Sequence, residues 1–340
     1  MRNSESMGVG KFKSLFKMLA VSVLVLSAAG CANQPVGSKS RPFTMYFVPS
    51  VDSEQITLTA NSVSKFLSEY ISKKLHNAPT GFYVKTAVPT SYIAVIEAFG
   101  TRKADFAAVT TFSYILGRDI KKYDMPAVLA VIRGDGEKTY KAQIVAHKDA
   151  KIKSVKDLEG KSFAFVDPAS TSGYVLPLKM IRDNGVKLGE TVFAQKHDNV
   201  ITMVYQRQVD AGATYYSTPG IEEKNGKKVE VIRDARARVK TQFPDVEDKV
   251  KIVGFTDEIP NEPWVMRADL LKDPVKNEEL RNLVIEGLLE FAKTEDGKKM
   301  LQILATGTGL FKVSDKDYDG IRQVILDTAM DLENLLRKKS

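Results

Sequence analysis

Residues 163 to 177 read PheAlaPheValAspProAlaSerThrSerGlyTyrValLeuPro. A buried strand is followed by a turn, and then a run of hydroxyls and a glycine opens a helix. The first backbone N–H groups of a helix have no partner inside it and point outward with the positive end of its dipole, so an oxyanion satisfies them. Ser170, Thr171 and Ser172 add hydroxyl donors, and Gly173 lets the backbone come close without a Cβ in the way. An ordinary N-cap needs one hydroxyl, and this run offers more. The chemistry the pattern implies is recognition of an anion.

An internal repeat adds two side chains. At an offset of 105 residues, Val95 and Ile96 fall on Val200 and Ile201, Arg102 on Arg207, Asp105 on Asp210 and Ala108 on Ala213. Each half therefore carries a short helix followed by a strand that opens with aspartate, and two similar lobes are implied. The aspartates themselves read as structural caps. The same offset places Tyr92 on His197, each about one turn before its helix's first buried valine, where a side chain faces a cleft between the lobes.

The elements that must hold these residues alternate between short apolar runs and helical patterns. Thr44 to Val48 is followed by Val63, Phe66, Leu67, Tyr70, Ile71 and Leu75 at helical spacing, and then by Tyr83 to Val88. Strand-like runs continue at 106–109, 127–132, 144–147, 163–166, 192–194, 211–215 and 229–232, so the fold class is α/β. The last third turns helical. Asn277 is placed to cap a helix burying Leu280, Leu283, Val284, Leu288 and Phe291, and a final helix carries Ile321, Val324, Ile325 and Leu332. The densest basic stretch, from Lys224 through Arg236 and Arg238 to Lys240, surrounds the turn signal Asn225-Gly226 and reads as a solvated hairpin face.

The stretch DPASTSGYVLP resembles the signature of the phosphate/phosphite/phosphonate-binding proteins of ABC transporters, and the likeness extends over nearly the whole mature chain. It includes ValProThrSerTyr at 88–92, AlaAspPheAlaAla at 104–108, LysSerValLysAspLeuGluGlyLys at 153–161, HisAsp at 197–198, ValAspAlaGlyAla at 209–213 and IleProAsnGluProTrpVal at 259–265. The resemblance implies a two-lobed periplasmic-binding-protein fold of type II, with the ligand cleft between lobes joined by two hinge crossings near 139–144 and 255–261. Lobe 1 would comprise 42–140 plus 260–340, and lobe 2 would comprise 141–259. Ser170, Thr171 and Ser172 would hold the phosphoryl oxygens and His197 would donate from the same lobe, while Tyr92 would reach across from the other. Glu262 matches a position where a carboxylate pairs with an amine on the ligand. Relatives that bind aminophosphonates carry a second carboxylate where this chain has Tyr215, Tyr216, Ser217 and Thr218. Thr110 and Thr111 stand where relatives place an aromatic and a small polar residue, and would donate hydroxyls.

The first thirty residues differ from the rest. Arg2, Lys11, Lys13 and Lys17 precede an apolar run from Met18 to Leu26, then Ser27, Ala28, Ala29, Gly30 and Cys31. The run is about half the ~20 residues of a membrane span, so 1–30 reads as an export signal. Small residues directly before a cysteine resemble the lipobox of bacterial lipoproteins. Cys31, the chain's one cysteine, is then the lipidation site, and polar residues 31–41 form a tether. The protein is expected outside the cytoplasm, lipid-anchored to a bacterial membrane.

The whole chain carries a net charge of +8; Arg2, Lys11, Lys13 and Lys17 less Glu5 remove +3 with the signal and leave +5. That mild excess suits an anionic ligand and is not gathered into a nucleic-acid stripe. His76, His147 and His197 lack metal-ligand spacing, and the calcium-like start at 315–320 has Leu326 where a bidentate glutamate belongs, so neither a metal nor a cofactor is expected. The reading is a non-enzymatic, monomeric solute receptor that closes on a small phosphorus oxyanion by hinge motion and presents it to an ABC permease. A periplasmic sensor of the same fold is the alternative. A serine esterase or phosphatase using Ser170 or Ser172 lacks a base placed by any motif.

Overall fold

The structure is a computed structural model that describes residues 34–224 and 226–337. The export signal and Cys31 lie outside the described residues.

In chain order, β1 (Phe43–Phe47), α1 (Ser53–His76), β2 (Val84–Ala87), α2 (Tyr92–Gly100), β3 (Phe106–Ala108), α3 (Thr111–Ile115), a π-helical turn (Leu116–Ile120) and β4 (Ala127–Arg133) form the first run. The second run comprises β5 (Thr139–His147), β6 (Phe163–Phe165), a π-helical turn (Thr171–Val175), α4 (Leu176–Asp183), β7 (Thr191–Phe193), α5 (His197–Tyr205), β8 (Ala211–Tyr216), β9 (Gly220–Lys224), β10 (Lys227–Val231), α6 (Val246–Lys249), β11 (Val250–Phe255) and β12 (Ile259–Pro260). The chain ends with β13 (Pro263–Met266), α7 (Pro274–Lys293), α8 (Glu295–Ala305), β14 (Gly307–Lys312) and α9 (Asp319–Arg337).

Two sheets result. One has the order β14-β4-β13-β3-β1-β2, and the other runs β11-β5-β8-β6-β7 with β12 on the edge of β5. The chain leaves the first sheet at the end of β4 and returns to it at β13. Between them the two crossings run antiparallel: Ile259 pairs with Tyr140, Pro260 pairs with Thr139, and Ala142 N donates to Thr256 Oγ1 at 3.0 Å. Asn261 Nδ2 locks this hinge by donating to the carbonyls of Val131 and Glu137, both at 2.8 Å.

The first lobe's core gathers Phe43, Phe47, Val63, Leu67, Trp264 and Leu288, most of them wholly buried. α1 contributes Ile56, Val63, Leu67 and Ile71 on one face, and its ends match its dipole: Asp52 caps the start, and Lys73, Lys74 and His76 fill the last turn. A second core includes Phe163, Phe165 and Ile181. A third cluster includes Val109, Tyr140, Val166, Val200 and Val265, so it draws on both lobes and the lobes meet.

The repeat read from the sequence is a repeat of structure. α2 and α5 are both nine residues long and begin at Tyr92 and His197. Arg102 and Arg207 both take left-handed backbone after them, at φ 56° and 60°.

Other expectations need correction. The helix expected to be capped by Asn277 is capped one turn earlier by Asp273, whose carboxylate accepts from Val275 N and Lys276 N at 3.0 Å, with Pro274 in the position where its missing N–H costs nothing. Asn277 instead accepts from Leu271 N at 2.9 Å. The tether is shorter than expected. Val36 packs on the first core, Tyr83 N donates to Gly37 O at 2.7 Å, and Arg41 pairs with buried Asp105, so the folded body begins before Pro42. The basic stretch divides. β9 and β10 form the expected hairpin, but Arg236 and Arg238 turn inward, Arg236 onto Asp234 and Arg238 under Tyr215. Among the described residues no helix is long and apolar enough to cross a membrane.

Candidate ligand-binding cleft

β6 delivers the hydroxyl run to the cleft. Asp167 folds the chain back after the strand by accepting from Ala169 N at 2.8 Å, while its carbonyl accepts from Ser170 N at 2.9 Å. Ser170 then caps the helix, its Oγ accepting from Gly173 N at 3.0 Å. The first turn is π-helical, with Val175 N donating to Ser170 O at 3.1 Å, and such widened turns concentrate at functional sites. Gly173 is required by packing: a Cβ there would lie 2.4 Å from Val166 Cγ2. The equivalent helix of the other lobe, α1, is capped by the carboxylate of Asp52, which supplies the negative end itself.

The cleft holds a cavity of about 50 Å³. Ser170, Ser172 and His197 line it from one lobe, and Tyr92, Thr110 and Glu262 from the other. Tyr92 is 1 % exposed and its hydroxyl has no partner; His197 is 6 % exposed and its Nδ1 has none. Buried donors without partners carry a cost that a ligand oxygen removes. Burial, reinforced by the charges of Arg238 and Arg133, pushes the His197 imidazole down to about 3, so it is neutral at physiological pH and offers an uncharged N–H. Burial raises the Tyr92 hydroxyl well above its ordinary value, so it too stays protonated.

Some hydroxyls take other partners than expected. Thr171 does not line the cavity; its Oγ1 accepts from Phe112 N at 2.8 Å, across the lobes. Thr110 spends its proton on Ala169 O at 2.8 Å, also across the cleft, and accepts from Ser113 N at 3.1 Å. Thr111 Oγ1 donates to Pro260 O at 2.9 Å. With His197 N reaching Ser50 O at 3.4 Å and Lys196 facing Asp52 at 3.5 Å, the Thr171–Phe112 and Thr110–Ala169 bonds fasten the lobes in a closed arrangement.

Sequence reasoning missed the cations. Arg133, at the end of β4, is 1 % exposed and lines the cavity, paired with Glu262. Glu262 is therefore engaged by the protein's own arginine on Oε1, while its Oε2 has no partner. Arg133 Nη1 donates to Ser217 Oγ at 2.7 Å and Thr306 Oγ1 at 3.1 Å, and its guanidinium lies 4.3 Å from the centre of the Tyr140 ring. Tyr215 stands edge-on to His197 at 5.0 Å, and its hydroxyl accepts from Arg238 Nε at 2.6 Å. The signal for Arg133 was present, since an arginine closing an otherwise apolar buried strand needs a partner.

Closed lobes, antiparallel hinge crossings and a small cavity between them with hydroxyl, imidazole and ion-pair side chains in its wall define a two-lobed binding protein of the type II periplasmic class. Over residues 45–318 the chain matches the family described as ABC transporter, phosphonate, periplasmic substrate-binding protein, and it belongs to that family. It is 26% identical over 212 residues to the phosphate-import protein PhnD of Mycolicibacterium smegmatis, covering 58% of this chain and 63% of that one. It is 23% identical over 192 residues to the probable ABC transporter phosphite binding protein PhnD1 of Prochlorococcus marinus, covering 53% of this chain and 60% of that one. Both matches span less than two thirds of the relatives' length. Among solved structures, the fold resembles a binding protein component of an ABC phosphonate transporter from Pseudomonas aeruginosa, at TM-score 0.65, 20% identity and 87% coverage of each chain. It also resembles Prochlorococcus marinus PhnD1 in complex with methylphosphonate, at TM-score 0.64 and 19% identity, covering 88% of this chain and 99% of that one.

Proposed function

We propose that this protein is the extracytoplasmic capture component of an ABC transporter and that it binds a small phosphorus oxyanion, a phosphate, phosphite or phosphonate, by closing its lobes. The observation that carries this reading is the convergence, on one small cavity, of the N-terminal turn bearing Ser170 and Ser172 with the unpartnered, uncharged donors Tyr92 and His197. About four such bonds to a charged ligand, at roughly 1.5–3 kcal/mol each, amount to about 6–12 kcal/mol, a range that brackets the ~8 kcal/mol of a micromolar complex. Similarity to a phosphate-import protein and to a probable ABC transporter phosphite binding protein speaks for import over sensing. The role is recognition without turnover, in a monomer held to the membrane through Cys31, with the closed form presented to the permease.

Calorimetric titration of protein freed of bound ligand by partial unfolding and dialysis tests the reading. Micromolar or tighter binding of phosphate, phosphite or methylphosphonate, with sulfate far weaker, is expected. Absence of binding to all three would overturn the proposal.

A further inference from the structure

Among the residues lining the cavity, Arg133 is the one full cation and Glu262 the one carboxylate. A carboxylate in the wall of an anion site opposes the ligand unless something neutralises it. Two arrangements would do so: a cationic group on the ligand, or a cation of the protein. The structure contains the second, with the Arg133 guanidinium on Glu262 Oε1. Arg133 is not free to swing aside for a competing cation. It is fixed by Ser217, Thr306 and the face of Tyr140, and its side chain is 2 % exposed.

On the reading that the cavity takes a phosphorus oxyanion, we propose that the Arg133–Glu262 pair is its specificity device, admitting ligands whose substituent is absent or uncharged and refusing charged ones of either sign. An ammonium seeking the unpartnered Oε2 of Glu262 would sit beside a fixed guanidinium. A second ligand carboxylate seeking the unpartnered Nε of Arg133 would sit beside the Glu262 carboxylate. The pair as a whole is neutral and rewards neither, while like charges held close in a poorly solvated space repel strongly. The cavity volume of about 50 Å³ leaves little room for a charged substituent to turn back toward solvent.

Releasing one partner should retune the site in a predictable sense. Arg133→Gln leaves Glu262 open to an ammonium, and Glu262→Gln leaves Arg133 open to a carboxylate. The experiment is calorimetric titration of the wild type and both variants with methylphosphonate, ethylphosphonate, aminoethylphosphonate and phosphonoacetate, ethylphosphonate being the uncharged size control. The wild type should bind ethylphosphonate at least about tenfold more tightly than aminoethylphosphonate or phosphonoacetate. Arg133→Gln should shrink or reverse the gap to aminoethylphosphonate, and Glu262→Gln the gap to phosphonoacetate. Aminoethylphosphonate binding the wild type as tightly as ethylphosphonate overturns the proposal, as does a gap unchanged in a folded Arg133→Gln. Because removing one member of a buried pair can unfold a protein, melting curves accompany each variant, and the wild-type ratios decide the matter if neither folds. Wild-type protein that binds methylphosphonate but ignores substituent charge defeats this inference alone; wild-type protein that binds no phosphorus oxyanion defeats the functional reading beneath it.

Discussion

Tyr92 and His197 occupy the same place in two copies of one structural unit. Each is the first residue of a nine-residue helix, each helix leads through a left-handed arginine to a strand opened by an aspartate, and both side chains wall one cavity from opposite lobes. The unit was kept while the donor changed, to a phenol in one lobe and an imidazole in the other. Both are uncharged, which lets the lobes close on each other without burying a charge on either donor.

Tyr92→Phe separates binding from stability. The hydroxyl is buried with no protein partner, so deleting it removes a polar atom the folded protein pays to desolvate. Ligand affinity should fall roughly ten- to hundredfold, the loss of one bond worth about 1.5–3 kcal/mol. The melting temperature without ligand should hold or rise. Calorimetry beside a thermal melt reads both, and an unchanged affinity would remove Tyr92 from the site.

Thr171→Val tests closure instead of contact. Thr171 Oγ1 accepts from Phe112 N only when the lobes meet, and the valine leaves that N–H unsatisfied in the closed form. A penalty of about 1–3 kcal/mol falls on closure. Small-angle scattering with saturating ligand should show a more open average than the wild type, whereas Ser172→Ala should weaken binding and leave the saturated protein compact. Equal compaction in Thr171→Val would reduce that hydrogen bond to an incidental contact.

The sequence announced what depends on local pattern. The 105-residue repeat, the hydroxyl run after a buried strand and the alternation of strands and helices follow from spacing along the chain, and each is found in the fold. What escaped depends on contacts between distant residues. Arg133 reaches partners at 217, 262 and 306, and Arg238 lies under Tyr215, pairings that no local spacing encodes. Thr110 and Thr171 were legible as hydroxyls near the cleft but not as the bonds that fasten it, because their partners Ala169 and Phe112 lie 59 residues away. Asn277 misled because Asp273 followed by Pro274 is the stronger helix start.

His197 gives a pH signature with a definite sign. Its folded value is about 3, against about 6.5 in an unfolded chain. Between these the unfolded chain holds a proton that the folded one lacks, so stability falls as pH drops below about 6.5, by up to ~1.4 kcal/mol per unit, and is unaffected above it. Burial raises Asp167 and Asp198, which act in the opposite sense at the acid end. His197→Gln isolates the histidine. Urea unfolding across about pH 5 to 7 should show the wild type losing stability relative to the variant as acid is added. Affinity should change little over the same range through this residue, and a steep loss of binding above about pH 6.5 would mean that the bound histidine is charged.

Asp105 and Asp210 stand at equivalent places in the repeat but should differ in what they contribute. Asp105 is fully buried and accepts from Arg41 at 2.7 and 2.8 Å, Thr44 N at 2.9 Å and Arg267 at 3.2 Å. Asp210 is half-buried and ties down Ser162 alone, through N at 2.9 Å and Oγ at 2.8 Å. Asp105→Asn leaves Arg41 without its anion and buried Arg267 with Asp269 alone, and should cost about 3–5 kcal/mol. Asp210→Asn removes a local cap and should cost about 1 kcal/mol. The large term belongs to the clamp that Arg41 completes, so Arg41→Ala should recover much of it and leave residues 36–41 open to protease in the folded protein. If both aspartates cost the same in urea unfolding and Arg41→Ala leaves that stretch protected, the clamp adds nothing beyond the cap, and the body is held by β1 alone.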